Sequence, residues 1–244
     1  MPSIRAQHEA AVRIAEIYAS LQGEGMLAGT PSAFVRTSGC NLRCTWCDTP
    51  FTSWEPEGAD VPVAAILDAV RATAARHAVV TGGEPLLFAD TVAVCAALRA
   101  EGVHVTVETA GTVLPPGFTA PLADLVSISP KLASSTPPAD TPGGWSRRHE
   151  AARRRDDVIR ALAAPGRHQL KFVVDSPADF AEAAAWVADL GAAIDRGAVF
   201  MMPQGRTAAE LEETTSWLGP ECRRAGFQLA PRHHVAWFGA RRGT

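Results

Sequence analysis

Three cysteines, Cys40, Cys44 and Cys47, fall in one run of eight residues, CNLRCTWC. The spacing is too tight for disulfides among neighbours and suits a loop that wraps its thiolates round one metal centre. In a reducing compartment clustered thiols point to metal or catalysis. The number is the informative part. A structural zinc ion is closed by four ligands, and an electron-transfer cluster is held by four cysteines. Three ligands leave one iron of a cluster open to an outside molecule. The plain alternative is zinc with a distant histidine, but no histidine has the CxxC or HxxxH partner spacing of such sites. Trp46, just before the third cysteine, is placed to shield a centre from water.

Other polar clusters fall where strands are expected to end. Gly82-Gly83-Glu84-Pro85 is one. Glycines at a strand end let backbone approach a ligand closely, and Glu84 adds an acceptor. Gln22-Gly23-Glu24-Gly25 is a glycine-flanked turn with one acid at its tip. Arg36 precedes the cysteine loop, and Thr49 follows it. Glu108 with Thr109, Ser129 with Lys131, and Gln204 close three later strands. Each has an ordinary reading as well. Glu24 suits a surface turn, Arg36 a barrel salt bridge, and Thr49 a helix or turn cap. Lys171 either reaches a ligand or snorkels at a rim. His233 and His234 either meet substrate or close the bottom of the fold.

These clusters need a scaffold, and 244 residues with 47% hydrophobic and 20% charged content suffice for one large α/β domain. A net charge of −3 gives no bulk electrostatic case for nucleic acid. No apolar run reaches membrane-helix length, and the N-terminus lacks an apolar signal core; the reading is cytoplasmic. Cys95 and Cys222 are isolated, and Cys95 reads as a small buried hydrophobe. Strands are expected over Val12–Ser20, Ala33–Thr37, Ala78–Thr81, Val103–Val107, Asp124–Ile128, Gln169–Val174, Ala198–Met202 and Phe227–Leu229. Helices are expected over Val63–Arg76, Asp90–Glu101, His149–Ala163, Ser176–Leu190 and Thr207–Leu218. Pro50–Pro62 reads as irregular and Ser134–Gly144 as a mobile loop. About six alternations argue a mostly parallel sheet with helices outside, an incomplete (β/α)6 TIM-like barrel over 1–244 with no second domain. Within it, 12–32 is the strand and turn that meet substrate, 134–150 the mobile loop and 231–244 the tail.

CxxxCxxC with an aromatic before the third cysteine, on the loop after an early barrel strand, resembles the radical S-adenosylmethionine (SAM) superfamily. GGEP at the next strand end strengthens the likeness. The resemblance implies a 4Fe–4S cluster on Cys40, Cys44 and Cys47 whose open iron chelates SAM. It implies cleavage of SAM to a 5′-deoxyadenosyl radical that abstracts hydrogen from substrate. IYASLQGEG, CDT, VETAGT, SISPK, QLKFVV, MMPQG and PRHHVAWFGARRGT resemble the 7-carboxy-7-deazaguanine synthases over most of the chain. Members of that family contract 6-carboxy-5,6,7,8-tetrahydropterin to 7-carboxy-7-deazaguanine and ammonia, with SAM as reusable cofactor and Mg²⁺ required, on the way to queuosine and other deazapurines.

Carried onto this chain, the resemblance implies SAM contacts from Trp46, Gly82, Gly83, Glu84, Glu108, Ser129, Lys131 and Gln204. It implies Mg²⁺ at Thr49, a hard oxygen ligand. Substrate contacts fall to Leu21, Gln22, Gly23, Glu24, Gly25, Arg36, Thr81, Thr109 and His233. Glu24 accepts two hydrogen bonds from the aminopyrimidinone edge, and Arg36 pairs with the carboxylate. A flavodoxin or ferredoxin reductant and a homodimer are implied too. Ala110 departs from the more usual asparagine of ETNGT. Two other readings stay open: a glycyl-radical-enzyme activase built on the same cluster, and a zinc or iron–sulfur binding module without catalysis.

Overall fold

The computed structural model describes residues 10–164, 166–239 and 241–243. Its first half runs β1 (Ala11–Leu21), β2 (Pro31–Thr37), α1 (Pro50–Ser53), β3 (Ala59–Pro62), α2 (Val63–Ala72), β4 (His77–Gly82), α3 (Thr91–Ala100) and β5 (His104–Thr109). Then come β6 (Leu125–Ile128), α4 (Trp145–Ala152), α5 (Asp156–Ala163), β7 (His168–Val174) and α6 (Pro177–Leu190). β8 (Val199–Pro203), α7 (Ala208–Ala225), β9 (Gln228–Leu229) and α8 (His233–Phe238) complete it.

The nine strands of the described residues form one sheet in the order β3-β1-β2-β4-β5-β6-β7-β8-β9. From β2 to β9 every pairing is parallel, while β1 runs antiparallel to both β2 and β3. The sheet ends in β3 on one side and β9 on the other, which is the open form of the expected alternating barrel.

Alternation along the strands decides what faces the site. Side chains of a strand point to opposite faces in turn. Val35, Val80, Val107, Ile128, Phe172 and Met201 belong to the large buried core shared with the helices. Their alternates Arg36, Thr81, Glu108, Ser127, Lys171 and Met202 line a cavity on the other face. The apolar half of each strand therefore holds the helices, and the polar half is left for chemistry. Trp186, from α6, is fully buried against Phe172 with ring centroids 5.9 Å apart.

Three expected stretches fold differently. Pro50–Pro62 is not irregular: Pro50 opens a short helix, and Ala59–Pro62 pairs with the free edge of β1. The expected helix His149–Ala163 is two helices. Arg155 leaves helical geometry at φ −136°, and Asp156 and Asp157 restart the chain as a new first turn, where acids meet the positive helix end. Ser134–Gly144, expected as a mobile loop, is anchored at its start. Ser135 is fully buried, its carbonyl accepts from Thr45 N at 2.9 Å, and its hydroxyl meets His149 Nε2 at 2.9 Å.

Candidate active site

The cysteine loop joins β2 to α1 at the carboxyl end of the parallel strands, the end where α/β proteins place their sites. Cys40, Cys44 and Cys47 all line one cavity of about 270 Å³. Cys44 is buried and the other two are half-buried. Side chains from within and beyond the loop bond its backbone. Arg43 donates to the carbonyls of Cys40 and Leu42, both at 2.8 Å, and Trp54 Nε1 donates to the Cys44 carbonyl at 3.1 Å. Arg43 N–H donates to His149 Nδ1 at 3.1 Å. Burial pushes His149 down to about 4, so Nδ1 stays free to accept and Nε2 carries the proton toward Ser135. Leu42, within the loop, is itself buried.

Burial pushes the Cys40 thiol up to about 12 and the Cys44 thiol up to about 11. Bare thiolates are therefore costly here, as they are at the equally raised Cys95 and Cys222. Among the described residues no three His, Cys, Asp or Glu side chains form a group suited to one metal ion. Thiolates that each take a different iron of a cluster need not converge on one point. What the geometry shows is all three thiols on the wall of one cavity.

Gly82 and Gly83 bring the end of β4 against this loop. Gly82 has φ +144°, and a Cβ there would lie 2.3 Å from the Thr37 carbonyl oxygen. At Gly83 a Cβ would lie 2.3 Å from the Gly39 carbonyl oxygen. Only glycine lets these backbones meet. Both line the cavity. Glu84 does not. It is fully buried and takes the Thr109 hydroxyl at 2.8 and 2.9 Å, Ala110 N at 2.8 Å and Leu86 N at 3.1 Å. Burial pushes its carboxyl up, and those donors pull it back. Its position is that of a staple between the ends of β4 and β5. Ala110 serves this staple through its backbone, so the missing asparagine side chain leaves the staple intact. On the next strand end, Lys131 donates to the Ser129 carbonyl and hydroxyl, both at 2.8 Å.

The same cavity also carries a charged ring. Lys171, from β7, pairs with Glu24 and lies 3.6 Å from Glu108. Arg232 and His234 lie 3.5 and 3.7 Å from Glu24. Burial alone would raise the Glu24 carboxyl, but Lys171, Arg232 and His234 hold it well below the usual carboxylate range. Burial would likewise lower Lys171, but Glu24 and Glu108 hold its ammonium protonated. Glu24 is therefore an ionised acceptor. Gln22 donates to Glu108 at 3.2 Å, and Thr81 donates to its other oxygen at 3.1 Å. Arg36 reaches Glu16 at 2.8 Å and the Tyr18 hydroxyl at 2.7 Å.

The cavity gathers most of the residues expected from sequence. Leu21, Gln22, Gly23, Glu24 and Arg36 line it beside the cysteines, Trp46 and Thr49. Thr81, the two glycines, Glu108, Thr109, Ser129 and Lys131 complete the set. Four expected residues are placed elsewhere. Glu84 lies beneath the wall. Gly25 turns the chain at φ +69° against Gln169. Gln204 lines a separate groove with Arg206 and Trp217 on another side of Trp46. His233 stacks on Trp237 at 5.1 Å, while its neighbour His234 faces the cavity. Sequence reasoning missed Tyr18, Asp48 and Arg232, and left Lys171 open. Lys171 had a signal: it alternates with Leu170 and Phe172, the buried apolar face of the same strand. Arg232 had none, because its place depends on the path of the tail back across the mouth.

The radical SAM superfamily matches residues 34–218. The 7-carboxy-7-deazaguanine synthase of Rhodopirellula baltica is 43% identical over 237 residues, covering 97% of this chain and 90% of that protein. The synthase of Halobacterium salinarum is 47% identical over 235 residues, covering 93% and 90%. The chain belongs to the 7-carboxy-7-deazaguanine synthase family. A crystal structure of QueE from Escherichia coli shares the fold, with a TM-score of 0.67 at 22% identity over 92% of this chain and 95% of that one. Membership in the radical SAM superfamily implies a 4Fe–4S cluster and SAM. The three cavity-lining thiols fit the cluster, and Gly82 and Gly83 line the same cavity. Family membership also sets aside the activase and the non-catalytic module.

Proposed function

We propose that this chain converts 6-carboxy-5,6,7,8-tetrahydropterin to 7-carboxy-7-deazaguanine in the cavity between the three cysteines and the Glu24 ring. Substrate and product differ by one ammonia, so no net oxidant is consumed. The observation that carries the reading is an ionised, half-buried Glu24 facing the same cavity as the three thiols. A carboxylate there accepts from the amino and ring N–H donors of a pterin edge. Bound cluster and SAM supply the hydrogen-abstracting chemistry.

The chain's own residues bind and orient. Arg36, fixed by Glu16 and Tyr18, presents a guanidinium to the substrate carboxylate. Gly82 and Gly83 let backbone approach the cofactor, and Lys131 holds a positive charge near it. Thr49 is the hard oxygen for Mg²⁺: it lines the cavity two residues past Cys47, with Thr52 Oγ1 3.1 Å from its hydroxyl. A flavodoxin or ferredoxin reductant and a homodimer rest on the family resemblance alone. Among the described residues no helix is long and apolar enough to cross a membrane.

The test is turnover by anaerobically reconstituted, reduced chain with SAM and Mg²⁺, read by mass spectrometry of the deazaguanine. Glu24→Gln should raise KM strongly. SAM cleavage without the deazaguanine product rules the reading out.

A further inference from the structure

Glu24 sits at the tip of the turn that joins β1 to β2. Backbone closes the neck of that turn: Gln22 N–H donates to the Thr30 carbonyl at 2.9 Å, and Gly29 N–H donates to the Gln22 carbonyl at 2.7 Å. The tip is tied separately. Glu24 N–H donates to Gln22 Oε1 at 3.1 Å. Beyond Glu24, Met26 N–H donates to Gln169 Oε1 at 2.8 Å. Gly25, between them, lies against the same amide: at φ +69°, a Cβ there would stand 2.4 Å from Gln169 Nε2. Gln169 belongs to β7, two residues before Lys171 and so on the same face. It is 2% exposed and does not line the cavity. Its Nε2 donates to Ser127 Oγ at 2.8 Å, and Ser127 is its register partner on β6. Both ends of the amide are engaged, so the sheet sets its direction.

We propose that Gln169 is a positioning residue for substrate recognition: it holds the backbone of the turn where the Glu24 carboxylate meets the aminopyrimidinone edge. The inference rests on the reading of Glu24 given above. Lys171 pairs with the carboxylate itself, but an ammonium is a point charge on a flexible stem. It settles the charge of Glu24 rather than its place. A directional bond from a buried amide to the turn backbone settles the place. Packing alone does not call for an amide at a buried strand position, and burying one costs free energy unless its groups are bonded. What this amide adds is the tie to Met26. Binding groups work only when neighbouring hydrogen bonds hold them close to the productive geometry. One strand therefore serves Glu24 twice, through Lys171 at the side chain and through Gln169 at the backbone.

The experiment is equilibrium binding of 7-carboxy-7-deazaguanine to the reconstituted chain with SAM, run as a double-mutant cycle. Gln169→Met keeps the length of the side chain and removes both of its hydrogen bonds, so it should weaken binding about tenfold. Gly25→Ala drives a Cβ into the amide from the turn side and leaves β7 untouched; it should act in the same direction. In a Glu24→Ala background either change should cost less than about twofold more, because a group that acts through Glu24 has nothing left to position. SAM affinity should stay within about twofold in both single variants, since the bonds of Gln169 go to Met26 and Ser127 and not to the cysteine loop or the two glycines. Losses that add in the double variants, or SAM affinity that falls in step, would make Gln169 a general brace of the sheet and overturn the proposal. So would a Gln169→Met chain that binds the deazaguanine as tightly as wild type. A wild type with no affinity for the deazaguanine would instead sink the reading of Glu24, and this proposal with it.

Discussion

Replacing Lys171 with methionine strands the Glu24 carboxylate in the wall of the cavity. The two side chains are 5% and 16% exposed, and Lys171 is the direct ion partner of Glu24. Removing one member of a buried pair costs about 3–5 kcal/mol, because the other charge is left uncompensated. Here Arg232 at 3.5 Å and His234 at 3.7 Å remain near Glu24. The cost should therefore sit near the low end, about 3 kcal/mol. At roughly 2–4 °C per kcal/mol for a chain of this size, the melting temperature falls by about 6–12 °C. Thermal unfolding of the metal-free chain at pH 7.5, followed by circular dichroism, measures it. The double variant Lys171→Met with Glu24→Gln should recover a large share of the loss, since no bare charge is then buried. A melting temperature within about 2 °C of wild type for the single variant, below the shift expected for 1 kcal/mol, refutes the reasoning. So does a double variant as unstable as the sum of the singles.

Other outcomes follow from the walls of the site. Gly83→Ala puts a Cβ 2.3 Å from the Gly39 carbonyl oxygen, so the β4 end must retreat from the cysteine loop; SAM binding by calorimetry should weaken at least ~10-fold, a change of 1.4 kcal/mol. Glu84→Gln swaps an acceptor oxygen for an NH₂ among donors from Thr109, Ala110 and Leu86 and should cost about 1–3 kcal/mol in urea unfolding. Burial lowers both His77 and His149 to about 4 from 6.5. The unfolded chain therefore binds more protons between those values, so stability is full above about 6.5 and is lost as pH falls toward 4. Urea midpoints across that range should drop, and His149→Gln should flatten part of the slope; a midpoint constant from pH 7 to pH 4.5 contradicts it.

The strands were legible because their alternation serves two masters at once. Gln169–Val174 was legible as a strand, and period two puts Leu170, Phe172 and Val174 on one face and Lys171 on the other, but the role of Lys171 stayed open. The edge strand Ala59–Pro62 was not legible. Its four residues include Asp60 and Pro62, are too few to carry a periodicity signal, and become a strand only because β1 offers an unpaired edge. The break between α4 and α5 was hidden by continuous helical periodicity; what breaks it is tertiary, the Trp186 indole donating to Asp156 at 2.8 Å. In the site, Cys40, Cys44 and Cys47 were legible because ligand chemistry constrains spacing locally. The choice of His233 over His234 was not, since one residue along a helix turns a side chain from Trp237 to Glu24. Glu84 shows the opposite error. An acid after two glycines at a strand end reads as a ligand contact, but four short hydrogen bonds consume it inside the wall.

Electron paramagnetic resonance of the anaerobically reconstituted, dithionite-reduced chain, recorded with and without SAM, tests the three-thiol centre most directly. Iron content of about four per chain with a reduced-cluster signal that shifts when SAM is added is the expected result, because three cysteines leave one iron free to be chelated. Bound zinc in place of iron, or a cluster signal that SAM leaves unchanged, contradicts it.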